Sequence, residues 1–319
     1  MKVEVVATSS VVPVIELQRG LNKLSDLGFS YHCATNLLDQ DFIYAGSQEV
    51  RAQAFYAAAQ SDAEVVWAVR GGYGAGQLLE ILSYLENKNI PIKKKLLIGY
   101  SDVTALFGFV TQKWGWRVLH ASMLASADFH NIAPVDESAL LGLIKQNYAQ
   151  PCWHQQPLTW VSSQNLQLEH PIMAPLFGGN LAVICSLIGT PWQLDFSNKI
   201  LFLEEIGESW SKVERMLQQL LFSGSLQKCK AIVLGEFTHC KDIAPSGLID
   251  EDSSEREPIR TALSSQQALE HVFSKLAEAL AIPIALGLPV GHCAHNAPLP
   301  LLANYKLSLD CGLELIDWH

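Results

Sequence analysis

The chain has 319 residues, which is long for one hydrophobic core and favours two domains. Hydrophobic residues make up 49% and charged residues 17%, the balance of an ordinary globular protein, so extended disorder is not expected. The formal net charge is -10, and the only basic run, Lys93–Lys95, fits a solvated turn before a strand, which argues against nucleic acid as a partner.

The N-terminal segment does not resemble a signal peptide, because Glu4 interrupts the first apolar run and Pro13 follows soon after. No apolar run reaches the roughly 18 residues that a membrane span needs. We therefore expect a cytoplasmic protein with no membrane partner. The seven cysteines are scattered without a Cys-x-x-Cys pair, which favours reduced, mostly buried thiols over a disulfide framework.

In the first half, apolar runs alternate with segments of helical spacing. This alternation predicts a parallel sheet with right-handed crossovers. We assign residues 1–150 to this N-terminal domain, with strands at 3–7, 64–69 and 95–99 and helices at 15–27, 48–59, 78–85 and 103–112.

Residues 151–169 contain prolines, glutamines and tryptophans without a helical period, and we interpret them as a crossover that includes an edge strand. Residues 170–319 form the second α/β domain. We expect strands at 200–203, 231–234 and 282–286, helices at 180–188, 209–221 and 267–280, and two antiparallel strands within 301–316.

Ser101 follows a buried strand that ends at Gly99 and precedes a helix that begins near Asp102. A sharp strand-to-helix turn projects its side chain out of the sheet beside free amides, as in a nucleophile elbow, although the Gly-x-Ser-x-Gly pattern is absent. The alternative is a helix N-cap, a position that Ser and Asp favour.

The segment Arg70-Gly71-Gly72-Tyr73-Gly74 follows another predicted strand. It matches neither a dinucleotide-binding fingerprint nor a P-loop. Its free amides could stabilise an oxyanion, and the alternative is a plain turn.

Glu204 and Glu205 end a strand in the second half, and successive strand residues face opposite sides, so the two should differ in role. One could point into a cleft, while solvated surface is the alternative.

His292 follows Gly291 after another strand. Cys293 and His295 nearby raise the alternative of a metal site, but no second cluster supplies further ligands. Serine, glutamate and histidine, each at a strand end, favour acyl transfer.

These motifs together resemble the LD-carboxypeptidases, also called murein tetrapeptide carboxypeptidases, of the Ser-Glu-His serine peptidases. The resemblance spans nearly the whole chain. Its blocks are Ala45-Gly46-Ser47, Arg70 to Gly74, Gly99 to Leu106, Phe177 to Leu181, Gly189-Thr190-Pro191-Trp192, Leu203-Glu204-Glu205, Val213 to Leu217 and Gly291-His292.

The resemblance implies an N-terminal Rossmann/flavodoxin-like nucleophile domain, a C-terminal α/β domain and an active site at their interface. It implies that Ser101 attacks the carbonyl, His292 moves the proton and Glu204 orients His292, with the amides of Gly72 and Asp102 as the oxyanion hole. No metal or organic cofactor would be needed. The implied substrate is a muropeptide tetrapeptide that loses its terminal D-alanine in peptidoglycan recycling, and the implied assembly is a homodimer.

The sequence departs from the family pattern in two places. Glu205 stands where the family often has aspartate, and His120-Ala121-Ser122-Met123 stands where it often has His-Gly-Pro. We interpret His120 as structural or substrate-lining rather than catalytic.

Three other functions stay open. Hydrolases of the same family that resemble the microcin C self-immunity protein cleave aminoacyl-nucleotide conjugates and add an aromatic contact to the nucleobase, for which Trp210 is the candidate. A non-catalytic α/β module could bind a small ligand through the Gly-rich loop. An ordinary α/β-hydrolase would need a second glycine after the serine, where this chain has Asp102-Val103.

Overall fold

A computed structural model describes residues 1–87, 92–146, 151–161, 170–241 and 264–318. These residues form two sheets, of six and seven strands. The buried apolar side chains of both sheets belong to one continuous cluster. The two halves are therefore packed as one molecule.

The first sheet contains five parallel strands in the spatial order β2-β1-β3-β4-β5, a flavodoxin-like doubly wound arrangement. β3 and β4 are buried along their whole length, as expected for apolar runs covered on both faces. The strands are β1 (Lys2–Val6), β2 (Ser30–Cys33), β3 (Val65–Ala68), β4 (Leu96–Gly99) and β5 (Arg117–His120).

Six helices accompany this sheet. They are α1 (Val14–Asp26), α2 (Gln48–Gln60), α3 (Leu78–Glu86), α4 (Thr104–Lys113), α5 (Ala127–His130) and α6 (Pro134–Ile144). The four helices that the sequence predicts in this half, α1 to α4, are confirmed, and their ends agree within one or two residues. β2, β5, α5 and α6 were not predicted.

The second sheet has a parallel centre, β7-β8-β9-β10, with antiparallel strands at both edges. The predicted edge strand is confirmed as the two-residue β6, which pairs with β10, and the predicted antiparallel pair is β12 and β13. Its seven strands are β6 (Thr159–Trp160), β7 (Ile172–Asn180), β8 (Ile200–Ile206), β9 (Ala231–Thr238), β10 (Ile284–Leu286), β12 (Asn304–Ser308) and β13 (Gly312–Asp317), and one further strand of this half of the chain is β11 (Leu299–Leu301).

In the part of this half that the structure describes there are three helices, α7 (Leu181–Ser186), α8 (Trp210–Phe222) and α9 (Ser265–Leu280). α7 is shorter than the predicted helix at 180–188, because Asn180 is its N-cap and accepts from the Val183 amide. The strand predicted at 282–286 begins only at Ile284.

β11 lies in the first sheet, although it comes from the C-terminal part of the chain. It pairs antiparallel with β5, and Leu299 is the partner of His120. The Trp153 indole donates to the carbonyl of Pro298 just before this strand. The first sheet is thus completed by residues about 180 positions after β5.

Two further predictions concern Lys95 and the limits of the domains. Lys95 was expected in a solvated turn, but it is buried and its Nζ donates to the carbonyls of Ser61 (2.7 Å) and Ala63 (2.5 Å). The predicted domain limits at residues 150 and 169 lie outside the described residues.

All seven cysteines are free thiols. Three of them, Cys185, Cys229 and Cys240, are buried, and the others are partly exposed. Within the described ranges, no helix is long and apolar enough to cross a membrane.

Candidate active site

The loops after β1, β3 and β4 meet at the carboxyl edge of the first sheet, where the strand order reverses between β1 and β3. In doubly wound sheets this edge is the usual place for a ligand crevice. The Ser10 amide donates to the Gly71 carbonyl (3.3 Å), which joins the first two loops. Ser101 follows β4 directly and lies beside them.

Ser101 begins a short 3-10 turn, Ser101–Val103, that leads into α4. Its φ is 59°, in the left-handed region that costs a non-glycine residue about 1 kcal/mol or more. Tyr100, not Ser101, occupies the cap position, and no side chain caps this turn. The N-cap interpretation of Ser101 is therefore wrong, and its strained backbone is that of a nucleophile elbow.

The Gly-rich loop approaches Ser101 so closely that side chains are excluded. A Cβ on Gly71 would lie 2.9 Å from Ser101 Oγ. Gly72 has a φ of 107°, and a Cβ there would lie 2.3 Å from Ser10 Oγ, which accepts from the Tyr73 amide (3.1 Å). These contacts make the loop a backbone wall of the site rather than a plain turn.

Asp102 connects the serine turn to this wall. Its carboxylate accepts from the Ala75 amide (2.8 Å). Burial raises the pKa of Asp102, and hydrogen bonds from Ser9 and the loop amides oppose that shift. Gly72 and Asp102 both border the cavity of about 640 Å³ that contains Ser101.

Arg51, which no sequence pattern marked out, joins the loops that surround the site. It is buried at the start of α2, and its guanidinium stacks 4.8 Å from the Tyr44 ring. Burial lowers its pKa. It donates to the carbonyls of Thr8 (2.8 Å), Gly46 (3.1 Å) and Gly74 (2.8 Å) and to Gln77 Oε1 (2.7 Å).

Glu204 and His292 form a pair in the second domain, and His292 borders a cavity of its own while Glu205 lines the cavity of Ser101. Glu204 is fully buried near the end of β8, and its Oε2 lies 2.7 Å from His292 Nδ1. A Cβ on Gly291 would lie 2.9 Å from the Glu204 Cβ, so the glycine before His292 allows this close approach.

Glu205 has different partners, as the strand alternation predicted. Its carboxylate accepts from Asn180 Nδ2 (3.2 Å) and from the amides of Ala182 and Ile206 (both 2.8 Å). It therefore holds the start of α7. Both glutamates are buried, so the solvated-surface alternative is wrong.

His292 is held by several contacts at once. Burial acts to lower its pKa, but the hydrogen bond and charge of Glu204 act in the opposite direction, and the net effect is a raised pKa. Thr238 Oγ1 donates to its carbonyl (2.6 Å), and the Tyr100 ring lies 4.9 Å from its ring. The Tyr100 hydroxyl donates to Asp128 (3.4 Å).

Ser101 and His292 border two adjoining cavities, of about 640 and 490 Å³, and Ile206 borders both. Among the described residues, no hydrogen bond joins Ser101 Oγ to the His292 ring. Tyr100, the neighbour of Ser101, is in contact with that ring. Catalytic hydrogen bonds of this kind often tighten only when substrate binds.

Two sequence-derived alternatives can be compared with this geometry. Across the described part of the chain, no three His, Cys, Asp or Glu side chains gather as a metal site would require. Burial raises the pKa of Cys293 to about 12, which disfavours the thiolate that binds metals. Trp210 is buried and stacks on Phe237 at 6.1 Å, so it packs in the core instead of offering a surface to a nucleobase.

Comparison with known proteins identifies the family. The LD-carboxypeptidase N-terminal domain matches residues 3–121, and the LD-carboxypeptidase C-terminal domain matches residues 173–307. The chain belongs to the LD-carboxypeptidase family.

Relatives and solved structures of this family align along almost the whole chain. A murein tetrapeptide carboxypeptidase of Pseudomonas aeruginosa is 28% identical over 94% of this chain and 90% of its own length. The crystal structure of a muramoyltetrapeptide carboxypeptidase from Oxalobacter formigenes has a TM-score of 0.74 at 28% identity and covers 100% of this chain and 99% of its own. The microcin C7 self-immunity protein of Escherichia coli is 25% identical over 92% of this chain and 84% of its own length.

Proposed function

We propose that this LD-carboxypeptidase family member is a serine peptidase that removes the terminal D-alanine from muropeptide tetrapeptides. The bond cleaved would join the L-centre of a diamino acid to D-alanine. The main support is the 2.7 Å Glu204–His292 pair, whose histidine borders a cavity that adjoins the one containing the strained Ser101. The names of two relatives support the substrate class.

In the proposed mechanism, Ser101 Oγ attacks the carbonyl carbon and His292 Nε2 accepts its proton. Glu204 fixes the His292 tautomer by accepting from Nδ1–H and stabilises the imidazolium. The amides of Gly72 and Asp102 donate to the developing oxyanion. His292 then protonates the D-alanine amine as it leaves, and water hydrolyses the acyl-enzyme by the reverse sequence.

This chemistry needs no metal or organic cofactor, because a nucleophile, a base and oxyanion donors suffice. With this substrate, the enzyme would act on muropeptides during peptidoglycan recycling in the cytoplasm. A homodimer is the assembly that the family resemblance favours.

The decisive experiment measures free D-alanine released from a tetrapeptide stem. Wild-type protein should release it, and Ser101→Ala should reduce kcat about 10⁴-fold or more, because the nucleophile is lost. Ser30→Ala on the exposed part of β2 is the matched control and should match wild type. Absence of release by wild type, or equal release by Ser101→Ala, would overturn the proposal.

The similarity to the microcin C7 self-immunity protein supports a second candidate, hydrolysis of an aminoacyl-nucleotide conjugate. The buried position of Trp210 counts against an aromatic nucleobase contact from that residue. Competition between a tetrapeptide and an aminoacyl sulfamoyl nucleotide in one reaction separates the two. A higher kcat/KM for the nucleotide conjugate would favour the second candidate.

A further inference from the structure

Two unpartnered polar groups lie in the buried interface between the sheets. His120, the last residue of β5, is fully buried, and neither ring nitrogen has a hydrogen-bond partner in the described part of the chain. Glu204 uses Oε2 for His292, while its buried Oε1 also has no partner among the described residues. One group lies on each side of the domain interface.

The aromatic rings around His120 and Glu204 place these two side chains in the same part of the interface. The His120 ring packs against Phe202 with centroids 5.1 Å apart. Phe202 and Glu204 are two residues apart on β8, so their side chains lie on the same face of the sheet. Tyr100 lies between the two histidines, 5.5 Å from the His120 ring and 4.9 Å from the His292 ring.

An unsatisfied buried polar group is destabilising, so native proteins pair such groups directly or through an ordered water. The chemistry of this pair is complementary. A neutral imidazole offers one N–H donor, and the free carboxylate oxygen is an acceptor. Burial lowers the pKa of His120 to about 4, which keeps the ring neutral at physiological pH.

We propose that His120 is a positioning residue for the catalytic carboxylate: its ring N–H serves Glu204 Oε1, directly or through one bound water, while Oε2 engages His292. The carboxylate is then fixed at both oxygens, from β5 on one side and from the loop after β10 on the other. This inference rests on the proposed function, because it assigns Glu204 to the catalytic machinery.

The inference predicts a direction for the pH profile. The titratable groups that face His120 are Tyr100, Asp128, Glu204 and His292. Without the His120 donor, the charge of Glu204 acts on His292 alone and raises the pKa of that base further. This effect moves the acidic limb of kcat/KM to higher pH.

The test is a double-mutant cycle between His120→Phe and Glu204→Gln. Phenylalanine preserves the ring contacts but has no donor. We expect His120→Phe to lower kcat roughly 10- to 100-fold with little change in KM, because a misplaced carboxylate misplaces His292. In the Glu204→Gln background, His120→Phe should have almost no further effect.

Two amide variants make the test independent of how well phenylalanine is tolerated. His120→Asn places an N–H near the Nδ1 position, and His120→Gln places one near Nε2. At least one of them should recover most of the lost kcat. Full activity of His120→Phe, equal losses in both Glu204 backgrounds, or no recovery by either amide would overturn the inference.

A direct titration separates this inference from the proposed function. NMR of ring-labelled histidines should show a higher pKa of His292 in His120→Phe than in wild type. If wild type releases no D-alanine but this shift is observed, the proposed function fails and the His120–Glu204 contact stands. An unshifted His292 overturns the contact whatever the activity.

Discussion

Glu204 and Glu205 are identical side chains at adjacent positions, yet one faces a histidine and the other faces the first turn of a helix. Strand alternation is sufficient to separate them. Folding raises the pKa of His292, so this pairing stabilises the protein most below pH 6.5, the ordinary value. That stabilisation is lost as the pH rises through the higher folded value.

In the proposed mechanism the same shift governs activity, because His292 must be neutral to act as a base. Glu204→Gln removes the hydrogen bond and charge that raise its pKa and leaves the effect of burial, which lowers it. We expect kcat to fall roughly 10³- to 10⁴-fold and the acidic limb of kcat/KM to move to lower pH. Initial rates of D-alanine release measured across pH check both.

Glu214→Gln, on α8, is the matched control for that loss of charge. Glu214 pairs with Lys275 at 2.9 Å on the outer side of the second domain. The pH profile of kcat/KM of Glu214→Gln should therefore overlay that of wild type. If the acidic limb of kcat/KM does not move in Glu204→Gln, the assignment of His292 as the base is contradicted. The expected shift is opposite in direction to that of His120→Phe.

Sequence reasoning placed Ser101, the Glu204–Glu205 pair and His292 at strand ends, which gather at one edge of a parallel sheet, and the family resemblance was needed to choose Glu204. It did not select Arg51, since nothing along the chain marks a helix arginine as buried. The positioning role that we propose for His120 depends on Glu204, which is 84 positions later in the sequence and lies across the interface, and only tertiary structure shows that proximity.

At the scale of elements, the loop after β3 and the turn after β4 depend on each other's backbone. A Cβ on Gly71 would meet both the Cβ and the Oγ of Ser101 at 2.9 Å. Neither the loop nor the turn can move easily, because the Asp102 carboxylate accepts a hydrogen bond from the Ala75 amide of the loop. The positions of Ser101 and of the proposed oxyanion donors are therefore fixed together.

Gly71→Ala tests this dependence. The added methyl should displace Ser101 Oγ and lower kcat roughly 100-fold, since about 1 Å of misplacement can cost that much. D-alanine release gives kcat, and thermal unfolding shows whether the fold is retained.

The same loop supplies the control for this substitution. A Cβ on Gly76 would meet only the Ala105 Cβ, at 3.8 Å, so Gly76→Ala should stay within about 2-fold of wild type. Equal losses in the two variants would show that the loop tolerates no alanine, and would remove the specific role given to Gly71.

The parallel strands β3, β4, β8 and β9 were predictable because their apolar runs are buried on both faces and therefore continuous. β2 was missed since it is short and half exposed, with the sequence Ser-Tyr-His-Cys. β11 was missed for another reason. Its Leu-Pro-Leu sequence has no strand signal of its own, and its place is set by pairing with β5.

At the scale of the molecule, β11 and the continuous core make the two halves interdependent. We expect a single unfolding transition in calorimetry, with equal calorimetric and van't Hoff enthalpies. Leu299→Asp, which buries a charge between the halves, should lower that one midpoint by several degrees.

The matched substitution is Leu309→Asp, at a leucine that is 51% exposed after β12, and it should leave the midpoint almost unchanged. Two resolved transitions, with only one sensitive to Leu299→Asp, would show that the domains unfold separately and would contradict this expectation.

The late position of β11 also bears on synthesis. A ribosome delivers β1 to β5 long before residue 299, so the outer edge of β5 stays unpaired while β6 to β10 of the second sheet are being made. Domains usually fold in order of emergence, but here the first sheet cannot finish before the second is nearly complete. A nascent chain thus carries an open strand edge for most of its translation, which makes it a natural client for chaperones that shield such edges.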